Sequence, residues 1–350
     1  MKIENLPQAN FPMKKTFLIL LSIFLPTLAT GQVVYLDTIG IRDWKGNIES
    51  LDTWAFAEEE EEETAPSAPA TAPAKAEPVT LPPVSVLQER LALLPPELMV
   101  PYNDVLEEQV IDYIVNHRKQ LLRILGKYLA TEGQMRQVFQ SYGIPGDLTA
   151  LAVVESALNP RALSVAGAAG LWQIMPDTAV TYGLTCSSSI DERYCPETAT
   201  ETAARILRDL YKKWESWPLA ISAYNCGSGN VMKAVEQAVS LDYWDIYQYL
   251  PRETRGYMPA FLAALYTIYF HSLHNMLPIP YKKTPTTIVN IPYRITLEEI
   301  AQACNMPFKT IQELNLQYLR GVVPAEKRYT VRIPTNKIST FKKNLAIPSR

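Results

Sequence analysis

From Asp104 onward, apolar positions recur at spacings of three and four. DVLEEQVIDYIVNHRKQLLRIL and TETAARILRDLYKKW both keep that rhythm, which gathers their apolar side chains on one face of a helix. Before residue 285 no run shows the strict alternation of a half-buried strand. After LPIPYKKTP the pattern changes. TTIVNIPYRI and YTVRIP read as strands flanking the helical LEEIAQAC and FKTIQELN, a β-α-α-β unit of about fifty residues. The pattern therefore predicts a mainly α protein, with a helical domain over residues 101–280, the small unit over 285–335 and a tail over 336–350.

One stretch breaks the helical logic. In LAVVESALNP, residues 151–160, Glu155 falls on the same helical face as Leu148, Leu151, Ala152 and Leu158, while Val153 and Val154 make the opposite side apolar as well. No solvent-facing stripe is left for a carboxylate, so Glu155 is either ion-paired or held for chemistry. Asp147 is placed to cap this helix and Asn159-Pro160 to end it; Pro176 opens the next one and Gly183 closes it.

The chain ahead of residue 101 has a different character. Lys14 and Lys15 precede TFLILLSIFLPTLATG, so residues 1–31 read as an export signal, with Met13 as an alternative start. No cysteine follows LATG, which gives no reason to expect a lipoprotein. Residues 32–100 are read as an N-terminal segment and linker. They include EEEEEE and the tract TAPSAPATAPAKAEPVTLPP, which cannot build a core, and they carry thirteen acidic against four basic side chains. Net charge is only −3, and Lys and Arg are not clustered among aromatics, which argues against a nucleic-acid partner. Export gives cysteines an oxidising setting, and Cys186 and Cys195, flanking SSSIDERY, are a candidate disulfide, with two buried thiols as the alternative.

Three further motifs follow Glu155. AGAAGLWQIMP sets two glycines before Gln173 and Met175; SAYNCGSGN presents Tyr224 and Asn225 ahead of a glycine turn; PRETRGYMPAFLAA brings Tyr257 to the start of an apolar helix. Aromatic rings stack on sugars, and an amide offers a donor and an acceptor together, matching an N-acetyl group. The ordered set ES, GLWQIMP, AYNCGSGN and ETRGYMP resembles the lytic transglycosylases of glycoside hydrolase family 23, of the membrane-bound lytic murein transglycosylase D type, over about residues 101–275. That resemblance implies a lysozyme-like (SLT) helical fold and a cleft. It implies peptidoglycan glycan strands as substrate, Glu155 as catalytic acid and base, and Ser156, Gln173, Met175, Tyr224, Asn225 and Tyr257 as substrate-binding residues. Cys226 departs from the pattern, standing where the family commonly has alanine.

Burial among Leu and Val would raise the pKa of Glu155, making it useful as an acid near neutral pH. A hydrolase would need a second carboxylate, and no motif supplies an obvious one. Asp177 has the bland reading of a helix-start residue, and Glu253 that of an ion pair with a neighbouring arginine. In the reaction that the resemblance implies, the muramic acid's N-acetyl oxygen assists departure and its 6-hydroxyl closes a 1,6-anhydro ring. A hydrolytic muramidase and a non-enzymatic glycan-binding protein stay open as alternatives. His271 and His274 have helical spacing, but no second His pair or acidic cluster joins them, so neither a metal nor a cofactor is expected. The C-terminal unit, with ELN and YTVRIP, resembles a LysM module that lacks the usual glycine-aspartate turn; glycan binding and a packing role both remain readings of it. The expected location is exported, in the periplasm or cell envelope.

Overall fold

The computed structural model describes residues 81–325 and 329–345. The expected export signal, the acidic run and the body of the Pro/Ala tract lie outside the described residues.

The helical body begins with α1 (Val84–Leu91), α2 (Asp104–Val115) and α3 (Arg118–Ser141). Asn103 caps α2 by accepting the Leu106 amide at 3.0 Å, and Leu106, Val110, Tyr113 and Ile114 form its buried face. A 3-10 turn over Gly146–Ala150 leads into the short α4 (Leu151–Ser156), followed by α5 (Pro176–Thr181). Next come α6 (Pro196–Trp214), α7 (Trp217–Cys226), α8 (Ser228–Ala238), α9 (Tyr243–Tyr247) and α10 (Arg252–Arg255). Last is α11 (Tyr257–Phe270), buried on nearly every side and packed against α2 and α4. A helix apolar all round belongs at the centre of its domain, and α11 is that centre.

This body reaches back before residue 101. Leu87, Leu91, Leu94, Leu98 and Val100 are all buried in its core, so the expected linker over residues 32–100 ends earlier than its sequence boundary. At the other end, the segment after α11 crosses α3, where the Ile279 amide donates to the Leu122 carbonyl at 2.9 Å. Gly126 makes that crossing possible, since a Cβ there would sit 1.7 Å from the Ile279 carbonyl oxygen. Among the described residues no helix is long and apolar enough to cross a membrane.

The C-terminal unit comprises β1 (Thr286–Asn290), β2 (Ile295–Thr296), α12 (Leu297–Cys304), α13 (Phe308–Leu314), β3 (Val322–Val323), β4 (Thr330–Pro334) and α14 (Ile338–Asn344). Strand β1 pairs antiparallel with β4, Ile288 opposite Arg332, and β2 pairs with β3, Ile295 opposite Val323. Where one strand was expected over TTIVNIPYRI, two form. The expected tail is no tail over its first part either, because Phe341 of α14 is fully buried in the unit's own core. A reciprocal Thr296–Glu299 capping box starts α12. Buried Asn315, from the ELN motif, ties the unit together, donating to the Ile311 and Arg332 carbonyls and accepting the Arg332 amide at 2.7 Å.

The loop between the two candidate cysteines joins this unit to the body. Ile190 contributes its side chain to the C-terminal core, and its backbone bridges Tyr318. The expected Cys186–Cys195 disulfide is not formed. Both thiols are free: Cys186 is partly exposed, and the buried Cys195 sulfur faces Thr198 Oγ1 at 3.1 Å and Arg332 Nη2 at 3.1 Å.

Candidate active site

Glu155 sits in the last turn of α4, and the chain leaves that helix through Ala157 and Leu158, both in the left-handed region. This abrupt exit ends the helix at Ser156, four residues before Pro160. The predicted cap is absent: the Asp147 carboxylate instead pairs with Arg136 at 3.2 Å and accepts the Tyr269 hydroxyl at 2.7 Å. Glu155 as a residue is partly exposed. Burial raises the pKa of its carboxyl to about 7 against the lowering effect of a hydrogen bond from Tyr257. No second carboxylate contributes to that shift among the described residues.

Tyr257, the first residue of α11, is fully buried and donates its hydroxyl to Glu155 Oε1. Tyr224, in the last turn of α7, lies near enough that the Glu155 charge adds to burial in holding its phenol well above the usual range. Its hydroxyl donates to the Trp172 carbonyl at 2.8 Å. Ser156 donates to the preceding carbonyl, Leu171, at 2.8 Å and is buried. Two hydroxyls thus pin consecutive carbonyls of the loop after α4. Ser156 is brought to the site as a strut of that loop, with its hydroxyl turned inward.

The same loop carries Gln173 and Met175. Gln173 has φ of 45°, and its amide nitrogen donates to the Ala162 and Gly170 carbonyls at 3.2 and 2.9 Å. Both amide hydrogens are committed inward, so its oxygen is what it can offer a ligand. Met175 is 42% exposed at the start of α5, and Asn225 is exposed before Gly227, whose φ of 81° turns the chain out of α7. Cys226 is half-buried and packs against the body's core, so the departure from alanine is absorbed there. Beneath the loop, Trp172 is fully buried, its ring 5.1 Å from that of Phe139 and its Nε1 donating to Thr200 at 2.9 Å.

Sequence reading missed one residue of this assembly, Arg193, which donates to the Gly167 and Ile174 carbonyls at 2.7 and 2.9 Å and so brackets the Gln173 loop. Its only sequence signal was a lone arginine in a polar loop. The histidine pair takes no part: His274 bonds the Tyr266 hydroxyl at 2.8 Å, and burial first, then the charges of Arg90 and Arg118, depress its pKa to about 4. A separate cavity of about 380 Å³, lined by Glu97, Tyr211, Trp217 and Asp242 among others, contains none of the motif residues, so the chemistry is not placed there.

Fold and site together define a helical protein in which one carboxyl, Glu155, is held at a raised pKa beside Tyr257 and near Tyr224. Residues 136–247 match the transglycosylase SLT domain, and residues 285–350 match the LysM-like domain of lytic transglycosylase MltD; the chain carries both domains in that order. Membrane-bound lytic murein transglycosylase D of Escherichia coli (strain K12) is 28% identical over 256 residues, covering 71% of this chain and 55% of that protein. The chain therefore spans about half the length of that relative. The soluble lytic murein transglycosylase of the same organism is 33% identical over 135 residues, 37% of this chain and 20% of that one. Among solved structures, the 70 kDa soluble lytic transglycosylase of Escherichia coli aligns with a TM-score of 0.33 at 28% identity, covering 41% of this chain and 25% of that one. Glu155, Gln173 and Tyr224 fall inside the SLT match, and Tyr257 lies beyond its end.

Proposed function

We propose that this protein is a peptidoglycan lytic transglycosylase, acting outside the cytoplasm on the cell wall. It cleaves the MurNAc-GlcNAc β-1,4 bond and leaves a 1,6-anhydro-MurNAc end. One observation carries the reading: a single carboxyl, Glu155, raised to about 7 by burial and hydrogen-bonded by Tyr257.

Protonated Glu155 donates its proton to the glycosidic oxygen as the bond breaks. The substrate's own N-acetyl oxygen supports the developing positive charge at the anomeric carbon, in the place of a second protein carboxylate. Glu155 is then a carboxylate, stabilised by the Tyr257 hydroxyl on Oε1, and it removes the proton from the 6-hydroxyl. That oxygen closes the anhydro ring, the glutamate regains its proton, and no water is consumed. The Gln173 oxygen and the exposed Asn225 are suited to N-acetyl groups, and Met175 to the apolar face of a sugar.

The test is mass spectrometry of muropeptides released from purified peptidoglycan, with Glu155→Gln as control. Products one water lighter than hydrolysis products, absent with the variant, are expected. Products that contain the extra water would replace this reading with a hydrolytic muramidase, and binding without bond cleavage would replace it with a glycan-binding protein.

A further inference from the structure

The buried pair Asp191–Arg193 connects two parts of the molecule that the reaction treats separately. On one side, Arg193 Nη1 donates to Gly167 and Ile174, the two ends of the turn that holds Gln173. The Arg193 carbonyl supports the same turn from below: Gly170, at φ 77°, packs so closely that a Cβ would lie 2.0 Å from that oxygen. Arg193 Nε and Nη2 are held at 2.9 and 2.7 Å by the Asp191 carboxylate, with both side chains only 6% exposed. On the other side, the Asp191 amide donates to the Gln317 carbonyl at 2.9 Å, the Leu319 amide donates to Ser189, and Ile190 is part of the C-terminal unit's core. Within four consecutive residues, 190–193, the chain runs from the core of the C-terminal unit to the backbone of the substrate loop.

We infer that Arg193 is a positioning residue for the Gln173 loop, and that the LysM-like unit, seated on Ile190, holds Arg193 in place. The unit therefore has a role in the catalytic domain's substrate contacts that does not depend on its binding glycan. A guanidinium suits this brace because its planar fork gives two donors to the carboxylate and two more to the carbonyls from nitrogens set apart, whereas an ammonium has three donors on a single nitrogen. The kinetic part rests on the function proposed above; the structural part does not.

The experiment compares the full chain with Arg193→Lys, Ile190→Ser and the double variant, by amide hydrogen exchange and by kinetics on soluble glycan strands. Ala169 and Ile174 exchange backbone hydrogen bonds with each other across the turn and report on it directly. Each single variant is expected to speed their exchange roughly tenfold, and the double variant no more than Arg193→Lys alone. KM is expected to rise roughly tenfold with kcat changed by less than about twofold, because a displaced loop weakens substrate contacts, whereas a partly unfolded population lowers kcat alone. Unchanged exchange at Ala169 and Ile174 in Ile190→Ser, with faster exchange in the C-terminal unit, would overturn the inference, as would an unmoved KM beside normal kcat. If the wild type yields no anhydro product, the proposed function fails and the exchange measurement alone decides the brace.

Discussion

The proton on Glu155 sets the working pH of the site. With its pKa raised to about 7, the acid form is present at neutral pH, and kcat/KM is expected to fall as pH rises through about 7. Tyr257 lowers that pKa, so Tyr257→Phe should move the falling limb to higher pH while reducing the plateau rate by roughly tenfold or more; a pH-rate profile checks both. Stability carries the same signature. The folded state holds the Glu155 proton from the ordinary value of 4.5 up to about 7, so stability falls over that window as pH rises, by up to about 3 kcal/mol. Glu155→Gln removes this loss, and its melting temperature relative to wild type should increase from pH 5 to pH 8. Glu155, Gln173, Tyr224 and Tyr257 were legible because their motifs are local in sequence. Arg193 and the inward turn of Ser156 were not, since each acquires its role from a partner that only folding brings near.

Among elements, α2, α3 and α6 show how far periodicity reaches. The apolar rhythm located α2, the opening of α3 and α6 without showing the break between α2 and α3, and it also runs through VSVLQERLALLPPELMV, where Leu87, Leu91, Leu94 and Leu98 keep spacings of four, three and four. That signal was present and was masked by prolines on either side. The short pieces were hidden for a different reason: β2 and β3 have two residues each, too few for alternation to register. The left-handed exit of α4 could not be foreseen either, because Ala157 and Leu158 are residue types that rarely adopt it. Gly126 offers a test of element packing. Gly126→Ala would drive a methyl into the Ile279 carbonyl and is expected to lower stability by about 2 to 4 kcal/mol, measured by denaturant unfolding.

In the whole molecule, the two bodies share a seam made of buried and partly buried contacts. Arg332 of β4 pairs with Glu197 at the start of α6, donates to the Leu314 carbonyl at 2.9 Å and meets the Cys195 sulfur. Exposed Arg161 and Glu313 add a contact at 3.2 Å that contributes little in water. Because Ile190 and Arg332 are the anchored members, the wild type is expected to unfold in one calorimetric transition, and Arg332→Ala to split it, with the C-terminal unit melting first. The sequence pattern contained nothing on this seam, which joins residues more than a hundred positions apart.

Ile190 lies in the sequence of one body and in the core of the other. Module boundaries drawn along the chain therefore cut through a shared part. A C-terminal unit grafted onto a foreign enzyme at residue 285 would arrive with a hole where Ile190 belongs, and the donor would keep an isoleucine with no socket. A chimera that keeps this core filled transfers the 186–195 loop together with the unit it completes.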